Sequence, residues 1–372
     1  MERQKKVLLI FVDGLQYDLA LEKMKLLKNN KSSSITPGIG FSNNLYPEML
    51  CGTNPDDIGY FNEWSPKKNI NKRLPYYLRI LDGLRNLLYV NVGIRRIILR
   101  NIFKKDFSNI PFKYAHFFKP QGSHNFRDLE GNNLLYKYDF EIYDSVETTL
   151  GVGKRDFHII DKLDKDLSQN NYLLSLVDLD NLAHIYGTKS TQFLGHIDSL
   201  DQKLKVLSDK FISFNDDNEV YLFSDHGMVD VSKIVDLGTI LENRFGEMSK
   251  DKYLYFVDST YLRIWVKDIE LIQSFNEFLS PQEFGKIVSN EERIEFGLTN
   301  KDFGDIVFRG NEGVMFAPNF YGARPCKSMH GYDSYLNSQK AIFSKIDNKN
   351  LTNKLPTKSK EIFHFLTNTL SN

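Results

Sequence analysis

The sequence predicts an α/β fold: a mostly parallel central sheet flanked by helices, with an inserted cap region and a small β-rich subdomain. Three observations predict it. Val7–Val12, Tyr172–Val177 and Val220–Phe223 are apolar or aromatic runs of strand length, broken only by Ser175, the pattern of strands buried on both faces. Each run stops at carboxylates: Asp13 after the first, Asp178 and Asp180 after the second, Asp225 after the third. Stretches of helical spacing separate them, and strands alternating with helices build a parallel sheet. Polar residues at the strand ends matter because open α/β sheets bind ligands at that edge.

Taken in order, Lys6–Val12 is the first strand and Asp13-Gly14 closes it, with a helix following over Gln16–Leu27. Ser32–Gly40 is small and polar, is broken by Pro37 and glycines, and is expected to be a loop. Pro47-Glu48 suits the first turn of a short helix ending at Gly52, with Ser42 just before it, where free backbone N–H groups favour a phosphate. From Ser65 to Lys105 the chain is strongly basic, with Asp82 the single acid among cations such as Lys72, Arg79, Arg85, Arg95 and Arg96. That stretch reads either as a solvated surface insertion or as a basic amphipathic element facing an anionic substrate or membrane surface. Phe107–Gly151 shows no clean period.

Phe157–Leu167 has helical spacing and leads into the strand at Tyr172. Beyond that strand, His184 follows Asp180 at i+4, so both side chains share one face of a helical turn and can reach one ion. Asp178 rivals Asp180 for that role, because periodicity does not decide between them. Thr191–Phe214 is an amphipathic helix, and Val220–Phe223 then ends in Ser224-Asp225-His226-Gly227-Met228. Aspartate beside histidine supplies two metal ligands or, more plainly, a buried ion pair capping a strand. A helix at Val235–Arg244, alternating aromatic residues over Tyr253–Val266, a helix at Glu270–Leu279 and strands at Asp305–Phe308 and Gly313–Phe316 make the β-rich part, 250–325. Lys327–Asp333 is a compact polar turn containing His330, and Lys358–Leu370 is a closing helix.

Composition narrows the function classes. Lys plus Arg is 48 and Asp plus Glu is 48, so net charge gives no argument for a nucleic-acid polymer as partner. Two cysteines, Cys51 and Cys326, are too few for a disulfide framework and suit a reducing compartment. The apolar run behind the basic N-terminus ends at Val12, too short for a signal-peptide core or a membrane span. The expectation is a cytoplasmic protein, with 65–105 as its contact if it meets a membrane.

Five separated segments, in order, resemble the alkaline phosphatase superfamily in its nucleotide pyrophosphatase/phosphodiesterase branch. They are Asp13-Gly14; Gly40-Phe41-Ser42 with Pro47, Cys51-Gly52 and Pro55-Asp56-Asp57-Ile58-Gly59; Asp180 and His184 before Gly187; Asp225-His226-Gly227-Met228; and His330-Gly331-Tyr332-Asp333. The resemblance implies a catalytic core over 1–62 and 170–372, with 63–169 as the inserted cap. It implies that Asp13, Asp225, His226 and the Ser42 oxygen hold one divalent ion, and that Asp180, His184 and His330 hold another. Ser42 is then the nucleophile. Asn62 stands one residue short of the place where the family carries a phosphate-binding Asn, and is the candidate for that role. Cys51 stands where the family usually has Thr, and Ile58 where it often has His.

The chemistry of the residues agrees. Mixed imidazole and carboxylate ligands suit Zn²⁺, whereas an all-oxygen set would suit Mg²⁺ or Ca²⁺. Two such ions about 4 Å apart would clamp an in-line displacement at phosphorus, with a phosphoserine formed and then hydrolysed. The expected substrate is a small phosphorylated molecule: a nucleotide, a sugar nucleotide or a lipid head group. A phosphomonoesterase is the rival enzyme, although no Arg or Lys lies between Gly40 and Lys67 to meet a doubly charged phosphate. A sulfatase is disfavoured because its Cys/Ser-x-Pro-x-Arg signature is missing around Ser42. The rival from another class is a binding or membrane-surface protein that keeps the fold without turnover.

Overall fold

The computed structural model describes residues 5–67, 109–121, 132–322, 324–346 and 354–371. These form two compact units, one of residues 1–58, 123–231 and 326–372, the other of 59–122 and 232–325.

The first unit is built on six strands: β1 (Val7–Val12), β2 (Lys31–Ile35), β3 (Phe140–Asp144), β4 (Asn171–Leu176), β5 (Glu219–Phe223) and β6 (Ala341–Lys345). Their order is β2-β6-β5-β1-β4-β3. β1 runs parallel to β4 and β5, placing Leu9 between Leu173 and Tyr221, and β3 runs parallel to β4. β6 alone runs against the other strands, antiparallel to both β2 and β5. Alternation along β1 explains the unbroken apolar run. Leu8, Ile10 and Val12 face a core shared with α1 (Tyr17–Lys23), α3 (Arg155–Asp166), α4 (Asp178–Tyr186) and α5 (Thr191–Phe214). Val7, Leu9 and Phe11 face the opposite core, shared with α2 (Ser42–Cys51) and α6 (Ser359–Ser371). Helices covering both faces leave no solvent side for polar residues. The 24 residues of α5 follow the N-cap Ser190, whose side chain accepts from the amide of Phe193.

Three expectations change. Ser32–Ile35 lies in the edge strand β2, not a loop: its serines are only partly buried, and pairing with β6 rather than apolar alternation holds it. α2 begins at Ser42, so the serine sits in the first turn and Pro47 lies inside the helix. Finally, β3 and α3 pack on the main sheet, whereas the resemblance implies that 63–169 is a single insert. β3 is partly exposed at the sheet edge and so lacks the continuous apolar run of β1.

The second unit is centred on a four-stranded antiparallel sheet in the order Tyr253–Val257, Tyr261–Val266, Ile306–Gly310, Gly285–Ile287. Leu237–Phe245 and Glu270–Leu279 are helices, and their Leu241 and Phe275 join an aromatic core with Tyr253, Phe256, Ile264 and Phe308. Trp64–Pro66 pairs with Phe118–Pro120 beside it. The basic stretch read at 65–105 falls, from Lys68 onward, outside the described residues. Among the described residues no helix is long and apolar enough to cross a membrane.

Candidate active site

The strand ends of the first unit bring its predicted site residues together. β1 and β5 are neighbours, so the residues that follow them, Asp13 and Asp225-His226, emerge side by side. α2 then places Ser42 against them. Its Oγ lies 3.0 Å from His226 Nε2 and 3.5 Å from Asp13 Oδ1. His226 Nε2 is 3.5 Å from Asp13 Oδ1 and 3.2 Å from Asp225 Oδ2.

Asp225, Asp13 and His226 each have one polar side-chain atom engaged by the protein and another turned to the group. Asp225 Oδ1 accepts from the backbone N–H of Gly14 at 3.2 Å and of His226 at 3.0 Å, while its buried Oδ2 has no hydrogen-bond partner. Asp13 Oδ2 accepts from the Tyr46 hydroxyl at 3.4 Å. His226 Nδ1 lies 3.0 Å from the carbonyl oxygen of Gly227. A carbonyl only accepts, so Nδ1 carries the proton and Nε2 keeps a lone pair for a cation.

The other half rests on α4. Asp180 and His184 lie one turn apart, Nε2 to Oδ1 3.2 Å, and His330 Nε2 is 3.8 Å from the same oxygen. His184 Nδ1 is 2.8 Å from the carbonyl of Ser328, which fixes its tautomer as in His226. Asp180 Oδ1 is buried without a hydrogen-bond partner although an imidazole nitrogen is close. Ligands of a common ion behave this way, because both direct lone pairs at the ion rather than at each other. The His226 and His330 rings stack at 3.7 Å, joining the halves. Asp13, Asp225 and His226 form one cluster suited to a metal ion, and Asp180, His184 and His330 another.

Electrostatics agree with a cation site. Burial, then Asp225 and Asp180, push the Asp13 carboxyl well above its ordinary range. Burial opposes the charge of Asp180, but His184, and after it His330 and His226, outweigh burial and hold its pKa low. Burial, with His226 and His184, lowers His330 well below a free imidazole. Burial opposes a charge on His184, but Asp180 outweighs it and holds that imidazole well above its ordinary range, so without an ion a proton offsets the crowded carboxylates, a place that a divalent ion would take.

Two glycines make the approach possible. Gly14 has φ +74°, and a Cβ there would lie 3.2 Å from Asp180 Cα and Cβ. Its N–H also holds Asp225, so it links the two halves. At Gly227 a Cβ would meet the Ser338 carbonyl at 2.1 Å.

Position separates Asp178 from Asp180. Asp178 turns away from the histidines and forms a reciprocal cap with Asp156. It accepts from the backbone N–H of Arg155 at 2.8 Å and of Asp156 at 3.1 Å, at the start of α3, and from Arg155 Nε at 2.7 Å. Asp156 accepts from the backbone N–H of Val177 at 3.0 Å and of Asp178 at 3.1 Å, at the start of α4, and its Oδ2 is 3.0 Å from His196 Nε2. This third cluster of possible metal ligands, Asp156, Asp178 and His196, has its oxygens filled by donors and serves as a double helix cap. Neither this cap nor Tyr46 was singled out from the sequence. The i+4 spacing of Tyr46 from Ser42 was the available signal for the latter.

Asn62 lies in the second unit and is buried. Its Nδ2 donates to Asp258 Oδ1 at 2.8 Å, and its Oδ1 accepts from the Trp64 amide at 3.2 Å and from the Tyr321 hydroxyl.

A model of the family described as type I phosphodiesterase / nucleotide pyrophosphatase matches residues 93–333. The match spans Asp180, His184, Asp225, His226 and His330, while Asp13 and Ser42 precede it. GPI ethanolamine phosphate transferase 1 of Emericella nidulans is 33% identical over 94 residues, covering 25% of this chain and 10% of that protein. Among solved structures, an inactive variant of murine ectonucleotide pyrophosphatase / phosphodiesterase 5 in complex with AMP shares the fold at a TM-score of 0.63 and 17% identity, over 99% of this chain and 95% of that one. The human protein of the same name has a TM-score of 0.63 at 16% identity, with 99% and 95% coverage.

Proposed function

The chain belongs to the type I phosphodiesterase / nucleotide pyrophosphatase family, and from that premise we propose that it cleaves phosphodiester or pyrophosphate bonds of a small phosphorylated substrate, using Ser42 and two divalent ions, best matched by Zn²⁺. The observation that carries this reading is the pair of buried, partnerless carboxylate oxygens, Asp225 Oδ2 and Asp180 Oδ1, each facing imidazole nitrogens beside a serine hydroxyl. Asp13, Asp225, His226 and Ser42 would hold one ion, and Asp180, His184 and His330 the other. Bound there, the ions supply Lewis-acid charge that favours an ionised serine hydroxyl and water and neutralises phosphoryl oxygens.

The chain's own groups do the rest. α2 presents Ser42 Oγ to His226 Nε2 at 3.0 Å and to Asp13 Oδ1 at 3.5 Å, which hold it in place. Its oxygen attacks phosphorus in line, the bond to the leaving group breaks, and the phosphoryl group is carried as a serine ester until water releases it. The Nδ1 atoms of His184 and His226 each face a backbone carbonyl, which orients both rings so that Nε2 would meet an ion. A cavity of about 260 Å³, lined by Gly14, Gln16, Thr188, Lys189, Phe193 and Met228, gives room for part of the substrate.

The strongest charges acting on Asp13, Asp180 and His330 are carboxylates and imidazoles. Three aspartates and a serine alkoxide offset two dications, and a neutral site suits a singly charged diester better than a dianionic monoester. A transferase reading draws on the local likeness to the fungal ethanolamine phosphate transferase: the serine ester would pass to an acceptor hydroxyl instead of water. Turnover of bis-p-nitrophenyl phosphate tests the main reading. We expect activity that EDTA removes and Zn²⁺ restores, with hydrolysis products unchanged by added alcohols. Silence across diesters and monoesters with ions bound would favour the non-catalytic reading, and product captured by the alcohol would favour the transferase. A cytoplasmic location belongs to the same proposal.

A further inference from the structure

The periodicities of α2 and β1 converge on one contact. Tyr46 follows Ser42 by four residues, so both side chains leave the same face of α2. Phe11 and Asp13 are two residues apart at the end of β1 and so lie on the same side of the sheet. The Tyr46 ring is buried and stands edge-on to Phe11, centroids 5.4 Å apart at 89°, a favourable aromatic geometry. Its hydroxyl donates to Asp13 Oδ2 at 3.4 Å, the donor that reaches this oxygen among the described residues. Asp13 Oδ1 is thereby the atom left facing Ser42 and His226, each at 3.5 Å.

We propose that Tyr46 is a positioning residue for the first ion: by holding Asp13 Oδ2 it selects Oδ1 as the ligand atom and ties the helix bearing Ser42 to that same carboxylate. The inference rests on the two-ion reading above. A contact of this length is weak as a hydrogen bond. Its value is orientational, because a carboxylate that turns freely offers the ion two oxygens and no fixed geometry. Groups that orient a ligand in this way are worth roughly ten- to a hundredfold in metal affinity.

The test is Tyr46→Phe, which keeps the ring on Phe11 and removes only the hydroxyl. Zn²⁺ affinity is measured for each ion by chelator competition on the full chain, beside thermal unfolding of the metal-free protein. Asp13→Asn serves as reference for which ion is affected. The expected result is a loss of about ten- to a hundredfold for the ion that Asp13→Asn also weakens, the other ion and the metal-free unfolding midpoint staying as in the native protein. Equal affinities in variant and native protein would overturn the role of Tyr46 while leaving the two-ion centre intact. A fall in both affinities together with a lower metal-free midpoint would make Tyr46 a packing residue. Native protein that takes up no ions would overturn the two-ion reading itself.

Discussion

At the scale of single residues, the account turns on which atoms are already engaged. Ser42→Ala removes the attacking oxygen but none of the carboxylate or imidazole ligands. We expect turnover to fall by at least three orders of magnitude with both ions still bound, as read by paired kinetics and metal analysis; a near-native rate would make water the direct nucleophile. Glu48, on α2, gives a separate pH signature. Burial pushes its carboxyl from an ordinary 4.5 up to about 8, with Lys360 opposing. Below the lower value both folded and unfolded chains hold the proton. Between the two values the unfolded chain ionises while the folded one does not, so this group's contribution to stability is lost as pH rises through about 8. Glu48→Gln should remove that slope, leaving a difference from the native protein of roughly 3 to 5 kcal/mol between denaturation free energies at pH 5 and pH 8.5. Parallel curves for the two proteins would show that Glu48 is not held neutral. Asp13, Asp180, His184, Asp225 and His226 are legible as candidates because each sits beside a strand end or at i+4 spacing, whereas Ser42 and His330 stand out only through the family resemblance. Tyr46 is not legible, since a tyrosine beside Leu45, Met49 and Leu50 reads as core until its hydroxyl's target is seen.

At the scale of elements, α4 carries two aspartates with opposite duties, and the sequence left them interchangeable because both follow the same strand. Asp178 is fully buried in an ion pair with Arg155 at 2.7 Å and caps α3, whereas Asp180 faces the histidines. Substitution separates them. Asp178→Ala strands Arg155 and uncaps α3, and should destabilise the metal-free protein by about 3 to 5 kcal/mol. Asp180→Ala removes repulsion from a crowd of acids and should leave metal-free stability nearly unchanged. Urea denaturation of both variants in EDTA checks this, and equal losses would contradict the division of roles. β2 shows the opposite limit: its serines have no strand pattern of their own, and their conformation comes from β6, about 300 residues later in the chain. Helices with a clear apolar stripe were read well, α5 to the residue, because their period is intrinsic to the segment.

At the scale of the whole molecule, three buried strands meeting in one sheet are what the apolar runs encoded, and that sheet gathers residues from Asp13 to His330. The partition into units was less legible. β3 and α3 belong to the sheet unit, yet only α3 shows periodicity, and the unit boundaries fall at 58, 122, 231 and 325, where no composition shift marks them. An ion bound only by the folded chain adds stability by mass action, on the order of 3 kcal/mol at a hundredfold excess over its dissociation constant. EDTA should therefore lower the thermal midpoint and Zn²⁺ restore it. The most direct measurement is elemental analysis of the native chain after Zn²⁺ loading and desalting, beside Asp225→Ala and Asp180→Ala. Two ions per native chain and one in each variant are the predicted result; fewer than two in the native protein, or two retained in either variant, would contradict the two-ion centre.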